Sequence, residues 1–421
     1  MRNNYLWYQF FRHWMVGSGL RIFHSSYKAT GRENIPKDKP VLYVPNHQNS
    51  FMDAFLVTCK TSPVMYFLTR AQAFQPPILG WFLRSLNMLP VYRVRDGLSS
   101  VQKNNAIFEQ CISYLKKKET VLVFAEANHK LQRRIRPLSK GFTRIAFGAE
   151  ESGDWNLDLQ IIPVGVNYSL HQYGRNPVHV KFGKPIPVKE YQEEFLKDEN
   201  VATQKLKERT ELAMQELVMH VPNLEEYAYY KILLDDLEPD RYKVIDPELM
   251  NSRICMAEKH LTEELVEKAK ELDKLAEKNR VRLSELAYGK QLKVLDFLLF
   301  PIYLFSFLNN IIPYQPVRYL INNVIKDHAF DASIKFLTGV FILPVFYLIV
   351  SSILLLSGVG FPIVAGYFGL SLLTAPAFIR AKKIILPTSA ARIKRKKPSI
   401  HKNMKKHLQA FKVLRKSILN E

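Results

Sequence analysis

Asn46-His47 and, six positions on, Asp53 bring an imidazole and a carboxylate to the point where a short apolar run ends in a polar turn that opens a helix. An imidazole there can take a proton from an alcohol. An acid folding back onto the other ring nitrogen fixes the tautomer and stabilises the imidazolium. Moving an acyl group from a thioester to an alcohol needs such a base and no required covalent intermediate. A structural histidine at a helix start has the same local pattern.

Three further clusters carry charge or constrain backbone. Leu89 to Gly97 places Arg93 and Arg95 in a short extended run, where alternate residues share a side. Guanidinium groups match phosphate oxygens bidentately, and solvated charges on an exposed strand are the plain alternative. Phe124 to Lys130 puts Glu126 and His129 at a strand end, followed by Arg133, Arg134, Arg136, Lys140 and Arg144. That combination suggests an anion-binding pocket in which Glu126 orients a basic ligand or an acceptor; a charged loop is the other reading. Ile161 to Tyr168 is an apolar run with Pro163 inside it, which implies an edge position, a bulge or a close approach to the backbone.

The elements that must position these groups alternate. Val41–Val44, Val121–Phe124, Ile161–Val166 and Val178–Phe182 read as strands, with helices between them such as Val101 to Lys117. Strands spaced by helices predict an α/β layer structure. Residues 191–292 are charged and helical, broken by Pro222, Pro239 and Pro247, with one amphipathic helix expected over His260 to Ala287.

The 421 residues carry a formal charge of +21, from 60 Lys+Arg against 39 Asp+Glu. Such a balance favours an anionic partner, nucleic acid or membrane. Long apolar segments decide for membrane, and no nucleic-acid-binding motif is present. Three scattered cysteines offer no metal or disulfide framework and fit a reducing compartment. Tyr5 to Phe23 is aromatic but interrupted by Arg12, His13 and Arg21. It reads as an interfacial helix with its basic groups toward lipid phosphate, not as a signal peptide.

Phe336 to Leu356 and Phe361 to Ile379 approach the roughly 20 residues that cross a bilayer and are joined by the turn Ser357-Gly358-Val359-Gly360. They are expected to form a transmembrane helical hairpin. Beyond Arg380 stand thirteen Lys/Arg and a single acid, Glu421, which places this end in the cytoplasm. A hairpin returns the chain to the side it left, so the catalytic part is expected there too. Val294 to Phe307 is then re-entrant or interfacial.

The four clusters in this order resemble the glycerolipid acyltransferases, the family of lysophosphatidate and glycerol-3-phosphate acyltransferases. Asn46-His47 and Asp53 look like its first block, NHxxxxD. Pro90-Val91-Tyr92-Arg93 looks like the second, which ends in an acceptor-binding arginine. Phe124-Ala125-Glu126-Ala127-Asn128-His129 looks like the third, FPEGTRS, and Ile162-Pro163-Val164 like the fourth. The resemblance covers about residues 30 to 190. It implies a catalytic His47 held by Asp53, and acceptor contacts from Arg93, Arg95, Glu126, His129, Arg133 and Lys140. Two departures stand out. Five residues, not four, separate His47 from Asp53, as in the glycerol-3-phosphate branch. Ala125 and Ala127 replace Pro and Gly in the third block, where alanine penalises a positive φ.

The expected organisation is an interfacial helix over residues 1–30, an acyltransferase domain over 31–190, a helical insert over 191–292, a membrane region over 293–380 and a basic cytoplasmic tail over 381–421. The implied donor is acyl-CoA or acyl-carrier protein. The acceptor is lysophosphatidate or glycerol 3-phosphate, with another lyso-lipid such as an aminolipid as alternative. Anionic membrane lipid is a further partner, and no cofactor, metal or nucleic acid is called for. A catalytically silent lipid-binding protein is the rival from another class. A hydrolase would need a nucleophile elbow, and no GxSxG is present.

Overall fold

The computed structural model describes residues 5–61, 64–92, 98–237 and 246–419. The chain divides into two compact units. The first comprises residues 1–21, 26–171 and 178–220, the second residues 22–25, 172–177 and 221–421.

The first unit is built on one mixed sheet. Its strands are β1 (Ser26–Thr30), β2 (Val41–Pro45), β3 (Met65–Arg70), β4 (Met88–Val91), β5 (Thr120–Leu122), β6 (Gln160–Tyr168), β7 (Pro177–Phe182) and β8 (Ile186–Pro187). The order is β1-β7-β6-β2-β5-β3-β4, with β8 also pairing β6. Strands β2 to β6 are mutually parallel where they pair, and β7 and β8 run antiparallel to β6. Parallel strands buried on both faces read as continuous apolar runs; every residue of β2 and β6 is buried. The core joins Leu42, Val44, Val121, Val123 and Ile161 to Phe142, Ile145 and Ala146 of the helix Gly141–Glu151.

The α/β expectation holds, and its four strands are found. Sequence pattern missed β1, β3 and β8, which are short or only partly buried. Pro163 corrects the edge expectation, because β6 lies inside the sheet. The ladder to β7 begins at Val164↔Phe182 and that to β8 covers only Gln160 and Ile161. Pro163 therefore sits between the two ladders, where its carbonyl still accepts the Gly183 N–H at 2.9 Å and its missing N–H falls outside both paired registers. The close approach to this strand occurs instead at Gly165, where a Cβ would stand 2.3 Å from the Leu217 carbonyl oxygen.

Tyr5 to Phe23 is helical throughout, with a π-helical stretch at Phe10–Gly17. Arg12 does not point outward as expected. It is buried, and its guanidinium donates to the carbonyls of Thr58 (3.0 Å) and Thr61 (2.6 Å). These carbonyls lie at and just beyond the end of the helix Phe51–Thr58, where a cation is favoured. Phe11 packs on Phe82 at 5.3 Å between ring centroids, whereas Leu6 and Trp14 stay exposed.

In the second unit the amphipathic segment is two helices, Glu263–Asn279 and Leu283–Tyr288. Arg280 takes φ 52° and ends the first. Val266, Ala269, Leu272 and Ala276 form its buried stripe. Two apolar helical segments follow, His328–Leu356 and Phe361–Lys396. The segment expected at Val294 to Phe307 continues well beyond that range, as the helices Val294–Leu298 and Phe300–Tyr319. The basic C-terminal stretch is ordered as the helix Pro398–Leu419, which buries Met404, Leu408 and Phe411.

Candidate active site

Strands β2, β5 and β6 are adjacent and parallel, so their carboxyl ends open on one edge, the usual position of a ligand site in such sheets. His47 follows β2, Phe124 to Glu126 follow β5, and Tyr168 ends β6. Asn46 locks the first of these ends to the third. Its side chain accepts from the Val166 N–H (2.7 Å) and donates to the Val166 carbonyl (3.2 Å).

His47 and Asp53 meet as their spacing requires. His47 Nδ1 is 3.0 Å from Asp53 Oδ2. The same oxygen accepts the backbone N–H groups of Gln48 (2.8 Å) and Asn49 (2.7 Å). The Tyr168 hydroxyl donates to Oδ1 at 2.6 Å. Asp53 is thus a fully buried carboxylate with four donors around it, and it fixes both the imidazole and the turn. Ser50 lies inside that turn at φ 51°, a left-handed conformation of the kind held in place by surrounding bonds at functional sites. Because Gln48 and Asn49 donate to Asp53, these first two N–H groups after His47 cannot also serve an oxyanion.

The imidazole stacks on Phe124 at 3.9 Å and meets the edge of His129 at 5.3 Å. Its Nε2 has no hydrogen-bond partner among the described residues. Burial lowers the His47 pKa below the ordinary imidazole value, and the charges of His129 and Arg136 add to this. Asp53 pulls the other way. A neutral ring with Nδ1–H directed at Asp53 leaves the Nε2 lone pair as a proton acceptor.

Glu126 and Arg136 form the floor beside it. Arg136 Nη2 lies 2.5 Å from Glu126 Oε2, donates to the His47 carbonyl at 3.3 Å and bonds both oxygens of Asn128. Burial pushes the Glu126 carboxyl up to about 7, against the pull of Arg136. Ala127, next in the chain, takes φ 61°, so the alanine in place of the usual glycine does stand in a left-handed conformation. That conformation costs an L-residue roughly 1–2 kcal/mol. Ala127→Gly is therefore expected to stabilise the protein by up to about 1 kcal/mol after the added unfolded-state entropy, read as a raised thermal midpoint.

The remaining expected residues are placed differently. His129 is half-buried at the edge of the His47 ring, and Lys140 is exposed just before the helix Gly141–Glu151. Arg133 is buried, with its guanidinium donating to the carbonyls of Tyr168 (2.7 Å) and Ser169 (3.0 Å). It is placed as a brace for the end of β6, not as an open ligand for phosphate. Arg93 and Arg95 lie outside the described residues. Among the described residues, no group of three or more His, Cys, Asp or Glu is arranged to hold a metal ion.

Tyr168 and Phe124 were not singled out as site residues, and Arg136 was named only as one of a basic cluster. Tyr168 has the clearest consequence. Tyr168→Phe removes a buried hydrogen bond to a charged group, worth about 1.5–3 kcal/mol. As a positioning residue it should lower kcat about 10- to 100-fold with little change in KM, in steady-state kinetics.

Residues 26–167 match the family model described as Acyltransferase. A 1-acyl-sn-glycerol-3-phosphate acyltransferase of Chlamydomonas reinhardtii is 34% identical over 123 residues, which cover 28% of this chain and 35% of that protein. The match thus spans about a third of the relative's length. Among solved structures, the crystal structure of the 1-acyl-sn-glycerophosphate (LPA) acyltransferase PlsC from Thermotoga maritima is similar at 22% identity. It covers 49% of this chain and 84% of that one, with a TM-score of 0.34.

Proposed function

We propose, from the premise that residues 26–167 are a domain of the acyltransferase family, that this chain transfers a fatty acyl group from a thioester donor to the hydroxyl of lysophosphatidate at a membrane surface. The observation that carries the proposal is the His47–Asp53 pair, with Nε2 of His47 free to accept a proton. The Chlamydomonas relative, named for a 1-acyl-glycerol-3-phosphate acceptor, favours that acceptor over glycerol 3-phosphate.

His47 Nε2 takes the proton of the acceptor hydroxyl as its oxygen attacks the thioester carbonyl. The tetrahedral intermediate collapses, the C–S bond breaks, and the leaving thiolate takes the proton from the imidazolium. Asp53 stabilises the transient positive ring. Acyl-CoA or acyl-carrier protein is the donor. Arg93 and Arg95, which follow β4 in sequence, are proposed for the acceptor phosphate, with Lys140 and His129 as further contacts and Glu126 holding Arg136 in place.

Membrane placement is supported by an inverted pattern in the second unit. Leu348, Ile349, Ile353 and Leu356 are exposed on one apolar helix, as are Phe361, Ile363 and Leu373 on the next. The polar groups turn inward. Ser306 donates to the Thr374 carbonyl (2.7 Å), Asn309 to Ser371 Oγ (3.0 Å), and Tyr367 to Asn309 (2.9 Å). Apolar outside and hydrogen-bonded inside is the arrangement of helices in lipid. The catalytic unit and the C-terminus are proposed to lie on the cytoplasmic side.

The test offers labelled acyl-CoA to the full chain in vesicles with lysophosphatidate, glycerol 3-phosphate or a lyso-aminolipid. Labelled phosphatidate from the first acceptor alone is expected. Transfer to either other acceptor instead would overturn the acceptor. No transfer from acyl-CoA or acyl-carrier protein to any of them would overturn the enzymatic reading and favour a silent lipid binder.

A further inference from the structure

The second unit holds a group of cations outside the site described above, at the base of its two apolar helices. Lys335 Nζ donates to the Gln172 carbonyl at 2.8 Å and lies 5.2 Å from the centre of the Tyr173 ring. Arg282 Cζ is 4.1 Å from the same ring, and its Nε donates to the Tyr173 hydroxyl at 3.2 Å. Lys382 Nζ stands 3.7 Å from the centre of the Tyr314 ring and 4.7 Å from that of Phe378. Lys335, Arg282 and Arg318 are all near enough for their charges to act on Lys382.

The acids do not balance these charges. Glu285 pairs with Arg282 at 3.1 Å and also accepts from Ser389. Asp331 reaches Lys335 only at 4.0 Å and shares itself with His328. Neither Lys382 nor Arg318 has an acidic partner among the described residues. Partly buried like charges without counter-charge are costly, and aromatic faces offset only part of that cost.

Position supplies the ligand. Lys335 precedes the first apolar stretch and Lys382 follows the second, each about 22 residues from the turn that joins them. At about 1.5 Å per residue that is roughly 33 Å, one hydrocarbon thickness. Given the membrane reading proposed above, on which this inference rests, both ammonium groups stand at the level of the lipid phosphates. Basic pockets between helices at that level suit anionic headgroups.

We propose that Lys335, Lys382 and Arg282, walled by Tyr173 and Tyr314, form a binding site for the phosphate of an anionic phospholipid headgroup. Its residues are other than those proposed for the acceptor phosphate, and it orients the hairpin base at the bilayer surface.

The test is native mass spectrometry of the full chain in mixed micelles, counting bound dioleoyl phosphatidylglycerol against dioleoyl phosphatidylcholine, with inorganic phosphate as a separate arm. Wild type is expected to retain phosphatidylglycerol preferentially. The K335Q/K382Q variant should bind it about tenfold more weakly, and K335R/K382R should restore it. No headgroup preference in wild type, or an unchanged preference in K335Q/K382Q, would overturn the site. Lysine-dependent binding of inorganic phosphate without lipid preference would overturn the headgroup as its source. Alkaline carbonate extraction reads the membrane placement separately. Release of the chain would overturn that reading, whereas a retained chain without headgroup preference overturns the site alone.

Discussion

His47→Ala is expected to lower kcat for acyl transfer by about 10³-fold, within the range of roughly 10²–10⁴ for loss of a positioned general base. The ring is partly buried but bonded through Nδ1 alone, so its removal leaves Asp53 with its backbone and Tyr168 donors. Folding and acceptor binding should therefore persist while turnover is lost. The pH profile gives an independent sign. A base works in its deprotonated form, and burial holds the His47 pKa below the ordinary value, near 6.5 for a free imidazole. Activity should be maintained as pH falls to that value and lost only below it. An acid limb of kcat/KM well above 7 would contradict the assignment, as would a His47→Ala enzyme with nearly full kcat.

Asp53→Asn has the second largest expected effect, about 10²–10³-fold in kcat. The amide oxygen can occupy the position of Oδ2 and keep its three donors, His47 Nδ1 and the N–H groups of Gln48 and Asn49. The amide nitrogen then faces the Tyr168 oxygen, which can accept. Geometry survives and the charge does not, so the imidazolium loses its stabilisation. Because Asp53 raises the His47 pKa, its neutralisation should also move the acid limb of the residual activity downward. Asp53→Ala differs. It leaves buried backbone donors unpaired at about 1–3 kcal/mol each, and thermal denaturation should show that loss whereas Asp53→Asn should not. Equal thermal midpoints for the two variants would contradict this account of the turn.

The contact between His47 and Asp53 was legible because it is local. A strand end, a polar turn and an acid six positions on define both partners without reference to the rest of the chain. Tyr168 was not, since its bond to Asp53 joins residues 115 positions apart and depends on β6 lying beside β2. Arg133 and Arg136 show the same limit. Three positions apart in a basic stretch, they are indistinguishable by type. The fold turns one onto the carbonyls of β6's end and the other onto Glu126 and Asn128. Arg12 likewise reads as a surface cation until the end of a neighbouring helix supplies its acceptors. Pro163 read as an edge, a bulge or a close approach, because the change of partner from β7 to β8 leaves no trace in the local pattern. Ala127 is a different case: the sequence marked it as a residue that penalises a positive φ, and the backbone takes φ 61° there all the same.

Most direct is the initial rate of acyl transfer from acyl-CoA to lysophosphatidate by the full chain in vesicles, wild type beside His47→Ala, with lysophosphatidate binding measured on the same preparations. Turnover in wild type, about 10³-fold less in the variant, and binding within about twofold in both is the predicted result. Equal rates in the two proteins, or binding without turnover in wild type, would contradict the role given to His47.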